Sequence, residues 1–136
     1  MKDIIDIEKI FEIEKVQQKE QKLVLFKQCL EQLQKISDEL QKAKVATILA
    51  LECGKAGLED EGLEVYEMIK NNKFVDEKLA YIAEVEILSH IAKGLAIYGK
   101  YERAAEIARM IKNSGIMKDT LESIEYWRAR NQSENK

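Results

Sequence analysis

The segment VATILALECGKAGLEDEGLEVYEMIKNN, residues 45–72, is the most informative about the fold, because a similar segment follows 42 residues later as ILSHIAKGLAIYGKYERAAEIARMIKNS, residues 87–114. Nine of the 38 residue pairs from 45/87 to 82/124 are identical, and Gly57 falls on Gly99 between the two halves of each copy. Apolar residues in both copies follow the three- and four-residue spacing of helices. A duplication with a fixed period indicates two copies of one helix–turn–helix unit.

The rest of the chain is also predicted to be helical. Proline is absent, and the strong helix formers Ala, Leu, Glu, Lys, Gln and Met dominate the composition. We predict an all-α fold with six to seven helices, because the sequence leaves open whether the first two are fused. The expected single domain has N-terminal helices at 1–37, two helix-pair repeats at 38–117, a cap helix at 118–130 and a flexible tail at 131–136.

Local signals predict where several helices begin and end. Asp38 and Asp76 are suited to the N-cap position, where a short side-chain oxygen accepts a hydrogen bond from a free N–H group of the first turn. Gly54 and Gly57 are predicted to end the third helix. Asn113-Ser114-Gly115 is predicted to end the sixth, with Gly115 at positive φ.

The duplicated region, residues 45–117, resembles the tetratricopeptide repeat. Its departures are the missing signature tryptophan and closing proline, and a period of 42 residues instead of about 34. The resemblance implies antiparallel helix pairs stacked as a short α-solenoid. The matching positions are Leu49, Ala50, Gly57, Gly62 and Tyr66 in the first copy and Ile91, Ala92, Gly99, Tyr101, Ala104 and Ala108 in the second.

The same resemblance implies the function. In that family, the first helices of successive units line a groove that binds a peptide or a helix. This chain is therefore expected to be a protein-binding adaptor, scaffold or chaperone. Independently of the resemblance, the sequence has no Gly-rich phosphate loop, no Ser-His-Asp grouping and too few cysteines and histidines for a zinc site, so we expect no enzyme, no cofactor and no metal. The groove positions carried over from the family are Lys44, Thr47, Leu51, Lys55, Glu86, Ser89, Lys93 and Ile97.

The single histidine supports an alternative function. The segment from His90 to Gly94 is similar to the His-x-x-Lys-Gly motif of histidine phosphotransfer domains. That similarity implies an exposed His90 that accepts phosphate, Lys93 one turn later that neutralises its charge, and a glycine that leaves space for the phosphate donor.

A third hypothesis is a structural subunit of a larger helical assembly. The first predicted helix is more apolar than an edge helix needs, which suggests a homo-oligomer or a docked partner on this helix. Its apolar residues are Ile4, Ile5, Ile7, Ile10, Phe11, Ile13 and Val16.

Composition and charge narrow the remaining function classes. The net charge is −3 with both signs interspersed, so we expect no nucleic-acid surface. The longest apolar runs, such as Leu23–Phe26, are far shorter than the roughly 20 residues that span a bilayer. No export signal is visible, so we expect a cytoplasmic protein in which Cys29 and Cys53 are buried thiols.

Overall fold

The computed structural model describes residues 7–134, which form seven α-helices and no strand. The predicted all-α fold is confirmed. A break after Lys15 separates the first two helices, which settles the helix count left open by the sequence. The helices are α1 (Ile7–Lys15), α2 (Lys19–Gln34), α3 (Glu39–Lys55), α4 (Glu59–Asn71), α5 (Glu77–Tyr98), α6 (Tyr101–Ala108) and α7 (Ser114–Glu134).

The odd-numbered helices pack side by side in chain order: α1 contacts α3, α3 contacts α5, and α5 contacts α7. Each even-numbered helix contacts the odd-numbered helices before and after it. Leu49 of α3, Ile91 of α5 and Ile107 of α6 are fully buried between these layers. Each helix pair therefore buries its apolar face against the next one along the chain.

Two glycines bring α3 and α5 into backbone contact. A Cβ atom added to Gly54 would lie 2.5 Å from the Ile91 carbonyl oxygen, and one added to Gly94 would lie 2.6 Å from the Leu51 carbonyl oxygen. The prediction that Gly54 ends the third helix is therefore wrong. It is buried inside α3, and its missing side chain allows the close approach of α5.

The chain reverses with the same kind of turn after α3 and after α5. Gly57 and Gly99 have φ values of 78° and 115° and are the positive-φ residues of the described chain. After each glycine, a backbone N–H donates to the carbonyl oxygen five residues earlier, Leu58 to Cys53 at 2.8 Å and Lys100 to Leu95 at 2.9 Å. The turns predicted at the two glycines are thus present, each with a helix-terminating hydrogen bond.

The predicted caps have different outcomes. Asp76 caps α5, since its Oδ1 accepts a hydrogen bond from the Leu79 N–H at 3.1 Å. Asp38 occupies the N-cap position of α3, but its side chain makes no capping hydrogen bond. The helix start predicted at Ser37-Asp38 is therefore correct. Of Asp38 and Asp76, however, only Asp76 makes the predicted side-chain cap.

The last helix is longer than predicted at both ends. Asn113 begins α7 instead of ending the preceding helix, because its Oδ1 accepts a hydrogen bond from the Ile116 N–H at 2.9 Å. Gly115 lies in the first turn of α7 without a positive φ. The predicted cap helix, 118–130, is part of α7, which continues through residue 134 of the segment predicted to be a flexible tail.

Internal packing covers most of the described apolar surface of the first helix. Ile10 and Ile13 are fully buried, whereas Phe11 is 43% exposed. The predictions for Ile4 and Ile5 lie outside the described residues. Two residues of the apolar stripe that suggested an oligomer contact, Ile10 and Ile13, thus serve the packing of α1 within the chain. Cys29 and Cys53 are buried and are not joined in a disulfide, as predicted.

Candidate functional site

An apolar groove lies between the N-terminal halves of α3 and α5. The two helices run in the same direction, since Ala43 faces the groove opposite Ala83 and Gly54 contacts Gly94 near their C-terminal ends. The groove opens on the N-terminal side of the glycine contact and has a volume of about 450 Å³. Its lining consists of Leu40, Ala43, Lys44, Thr47 and Ile48 from α3 and Leu79, Ile82, Ala83 and Glu86 from α5.

Exposed aliphatic side chains concentrate at this groove. Among the side chains that the structure describes, four Val, Leu or Ile residues are exposed, and Leu40 and Ile82, at 50% and 54%, line the groove. Val75, which is 92% exposed, lies at the start of α3 because its N–H donates to Glu39. Val75 is near the groove but is not part of its lining, and Val24, on α2, lies elsewhere. Such a concentration of apolar surface in water indicates a binding surface.

A carboxylate holds the N-terminal end of the groove together. The Glu39 oxygens accept hydrogen bonds from the Val75 N–H at 2.6 Å and the Asp76 N–H at 3.2 Å. Glu39 is the first residue of α3, and Asp76 caps α5. The two walls are therefore connected at the open end of the groove as well as at the glycine contact.

The two walls carry charges of opposite sign. Lys44 lies on the α3 wall and Glu86 on the α5 wall. Each residue of α3 lies opposite the residue of α5 that is numbered 40 higher, as Ala43 and Ala83 do. The position opposite Lys44 is therefore 84, and Glu86 lies two residues, or about 3 Å, further along the groove. The groove thus combines an apolar floor with one basic and one acidic rim.

The predicted groove residues separate into two groups. Lys44, Thr47 and Glu86 line the groove together. Ser89 does not, and its prediction is wrong: it is 1% exposed, and its hydroxyl lies 2.7 Å from the Thr120 hydroxyl in a buried hydrogen bond. Carrying positions over from the repeat family placed Ser89 on an open surface, whereas the contact between α5 and α7 covers it.

Lys55 belongs to a charged cluster at the opposite end of α3. Its Nζ atom lies 3.0 Å from a carboxylate oxygen of Glu14 and 3.1 Å from one of Glu52, so it connects α3 to α1 rather than facing the groove. Burial raises the pKa of Glu52 above its ordinary value, although the Lys55 ammonium opposes this effect. The remaining predicted residues are half-buried and lie outside the groove lining: Leu51, Lys93 and Ile97.

The surroundings of His90 do not favour a phosphate acceptor. Its Nδ1 atom is 2.7 Å from the Glu86 carbonyl oxygen and 3.6 Å from the Glu86 carboxylate, which would repel a phosphoryl group. Gly94, the last position of the phosphotransfer motif, is buried against the α3 backbone instead of leaving space for a phosphate donor. Helix packing therefore explains this glycine.

A second cleft, of about 520 Å³, lies between the start of α6 and the C-terminal half of α7. It is lined in part by Lys100, Arg103 and Glu106. Arg103 bonds to Glu59 at 2.7 Å and to Glu106 at 2.9 Å, and Lys100 lies 3.5 Å from Glu59. Because carboxylates neutralise these cations, the cleft offers little attraction to an anion.

Sequence reasoning missed the apolar groove residues, although the repeat contained a signal. Ile82 and Ile124 are identical positions of the duplication, yet Ile82 is 54% exposed and Ile124 is 1% exposed. Leu40 lies just before the aligned pairs, and the same 42-residue shift places it on Ile82, the other exposed aliphatic residue of the groove. An apolar residue at the same position of both segments indicates a helix face that packs against another helix. It does not indicate in which segment that second helix is absent.

In comparisons of sequence and structure, the chain matches no protein-family profile, no curated protein and no solved structure. Within residues 7–134, no group of three or more His, Cys, Asp or Glu side chains could hold a metal ion. In the same part of the chain, every helix is too short or too polar to cross a membrane. The groove between α3 and α5 is therefore the feature on which a proposed function can be based.

Proposed function

We propose that this chain is a protein-interaction module, a tetratricopeptide-like adaptor, scaffold or chaperone, which binds a partner peptide or helix in the groove between α3 and α5. The observation that carries the proposal is that Leu40 and Ile82, two of the four exposed Val, Leu or Ile residues that the structure describes, line one apolar groove. The 42-residue duplication, the matching glycine turns and the side-by-side packing of the odd-numbered helices support the repeat architecture.

The groove suits the apolar face of an amphipathic helix. Its lining extends from Leu40 to Ile48 on α3 and from Leu79 to Glu86 on α5, a length of about 12 Å or two helical turns. A bound helix would place two or three apolar side chains, spaced by three or four residues, into it. Covering the exposed halves of the Leu40 and Ile82 side chains contributes about 1 kcal/mol each to the free energy of binding. A gain of this size suits a reversible complex.

The test compares two matched substitutions in the full chain. Ile82→Glu places a charge in the groove, whereas Val24→Glu changes an equally exposed side chain on α2. Each chain is used as bait in an extract of the source cells, and captured proteins are identified by mass spectrometry. Circular dichroism confirms that both variants are folded.

We expect the wild type and Val24→Glu to capture the same partner, and Ile82→Glu to lose it. Equal capture by Ile82→Glu would show that the partner binds elsewhere. If the wild type captures no protein that an unrelated helical bait does not also capture, the interaction function is wrong.

A further inference from the structure

The charges on the two walls make the groove complementary to itself. Lys44 stands on α3 and Glu86 on α5, about two residues apart along the shared helix direction. A two-fold axis parallel to the groove places α3 of one copy opposite α5 of the other. Lys44 of each copy then faces Glu86 of the second copy, and both ion pairs form at once. An axis perpendicular to the helices would instead place α3 opposite α3 and α5 opposite α5, so that walls of the same charge face each other.

We propose that a second copy of this chain occupies the groove, in a symmetric dimer whose axis runs along it. Each copy contributes two parallel helices, so the contact has the arrangement of a four-helix bundle with one shared core. The half-exposed side chains of Leu40 and Ile82 project from the walls and would fill that core. Self-association thereby covers the apolar surface that is exposed in the single chain.

The dimer is a weak, reversible one. Nine residues line the groove of each copy, fewer than the 20 to 30 residues per side, about 800 Å² per partner, of a standard stable interface. A partner helix and a second copy would compete for the same surface, so dimerisation would regulate access to the groove. Self-association does not depend on the proposed function, because the chain could dimerise without binding any other protein.

The test is sedimentation of the full chain from micromolar to near-millimolar concentration, with charge-reversed variants. Lys44→Glu and Glu86→Lys each replace two attractive pairs by two repulsive ones, so each should weaken the dimer about tenfold or more. An equimolar mixture of the two variants restores both attractive pairs and should dimerise like the wild type. Lys27→Glu and Glu67→Lys, exposed on α2 and α4, are the matched controls and should leave dimerisation unchanged.

Two results would overturn the dimer. One is a wild-type chain that stays monomeric over the whole concentration range. The other is undiminished dimerisation by Lys44→Glu and Glu86→Lys, which would place the contact on another face. A monomer that still captures a partner through the groove refutes only the dimer. A chain that dimerises at high concentration but captures nothing at bait concentrations too low for the dimer refutes only the proposed function.

Discussion

Replacing Gly94 by alanine tests the central packing contact of the fold. The added Cβ would lie 2.6 Å from the Leu51 carbonyl oxygen, 2.7 Å from the Lys55 nitrogen and 2.8 Å from the Gly54 Cα. All three are backbone atoms of α3, so no side chain can rotate away to make room. The two helices must separate, and the contacts on both sides of the crossing must loosen.

Two opposing effects determine the magnitude. Alanine favours the helix over glycine by about 1 kcal/mol. Overpacking of a tight contact costs about 1–3 kcal/mol, and a rigid backbone neighbour places Gly94→Ala at the upper end of that range or beyond. The free energy of unfolding should therefore fall by about 2 kcal/mol, which corresponds to a decrease in Tm of roughly 6–10 °C for a chain of this size.

Gly115→Ala is the matched control, because its Cβ would meet only a side-chain oxygen of Asn113, at an ordinary 3.5 Å. We expect it to leave stability unchanged or to raise it slightly. Urea denaturation followed by far-UV circular dichroism measures both variants against the wild type. If Gly94→Ala is as stable as Gly115→Ala, the backbone contact between α3 and α5 does not exist as described.

Three further predictions concern polar groups. Because burial raises the pKa of Glu52 in the folded chain, the contribution of Glu52 to stability decreases as the pH rises from below 4.5 to neutrality. Glu52→Gln should remove this decrease, which urea denaturation at a series of pH values measures. The same pH dependence in the variant and the wild type would contradict the buried carboxylate. Ser89→Ala should cost about 1–2 kcal/mol in urea denaturation by leaving buried Thr120 without this partner, while partner capture stays unchanged; lost capture in a folded variant would restore Ser89 to the groove. Asp76→Ala should lower the free energy of unfolding by about 1 kcal/mol, more than Asp38→Ala, since only Asp76 makes a capping bond; equal losses would refute this cap.

Local chemistry explains why much of the fold could be predicted from the sequence. Helix formation depends on residues three and four positions apart, and a left-handed turn strongly favours glycine. The helices, the turns at Gly57 and Gly99 and the cap at Asp76 were therefore predicted correctly. Errors arose where one residue type serves two purposes. A glycine can end a helix or admit a neighbouring one, as Gly54 does, and an asparagine can end a helix or begin one, as Asn113 does.

The groove shows the same division between local sequence and tertiary structure. The periodicity of the sequence is enough to identify the helices and the apolar positions that require cover. Which positions are covered depends on the packing of the helices: Ser89 and Ile124 lie beneath helix contacts, whereas Leu40 and Ile82 face water. Burial depends on which helices pack against each other, and that contact involves residues that are distant in the chain. Periodicity, in contrast, reports only the face of the helix on which a residue lies.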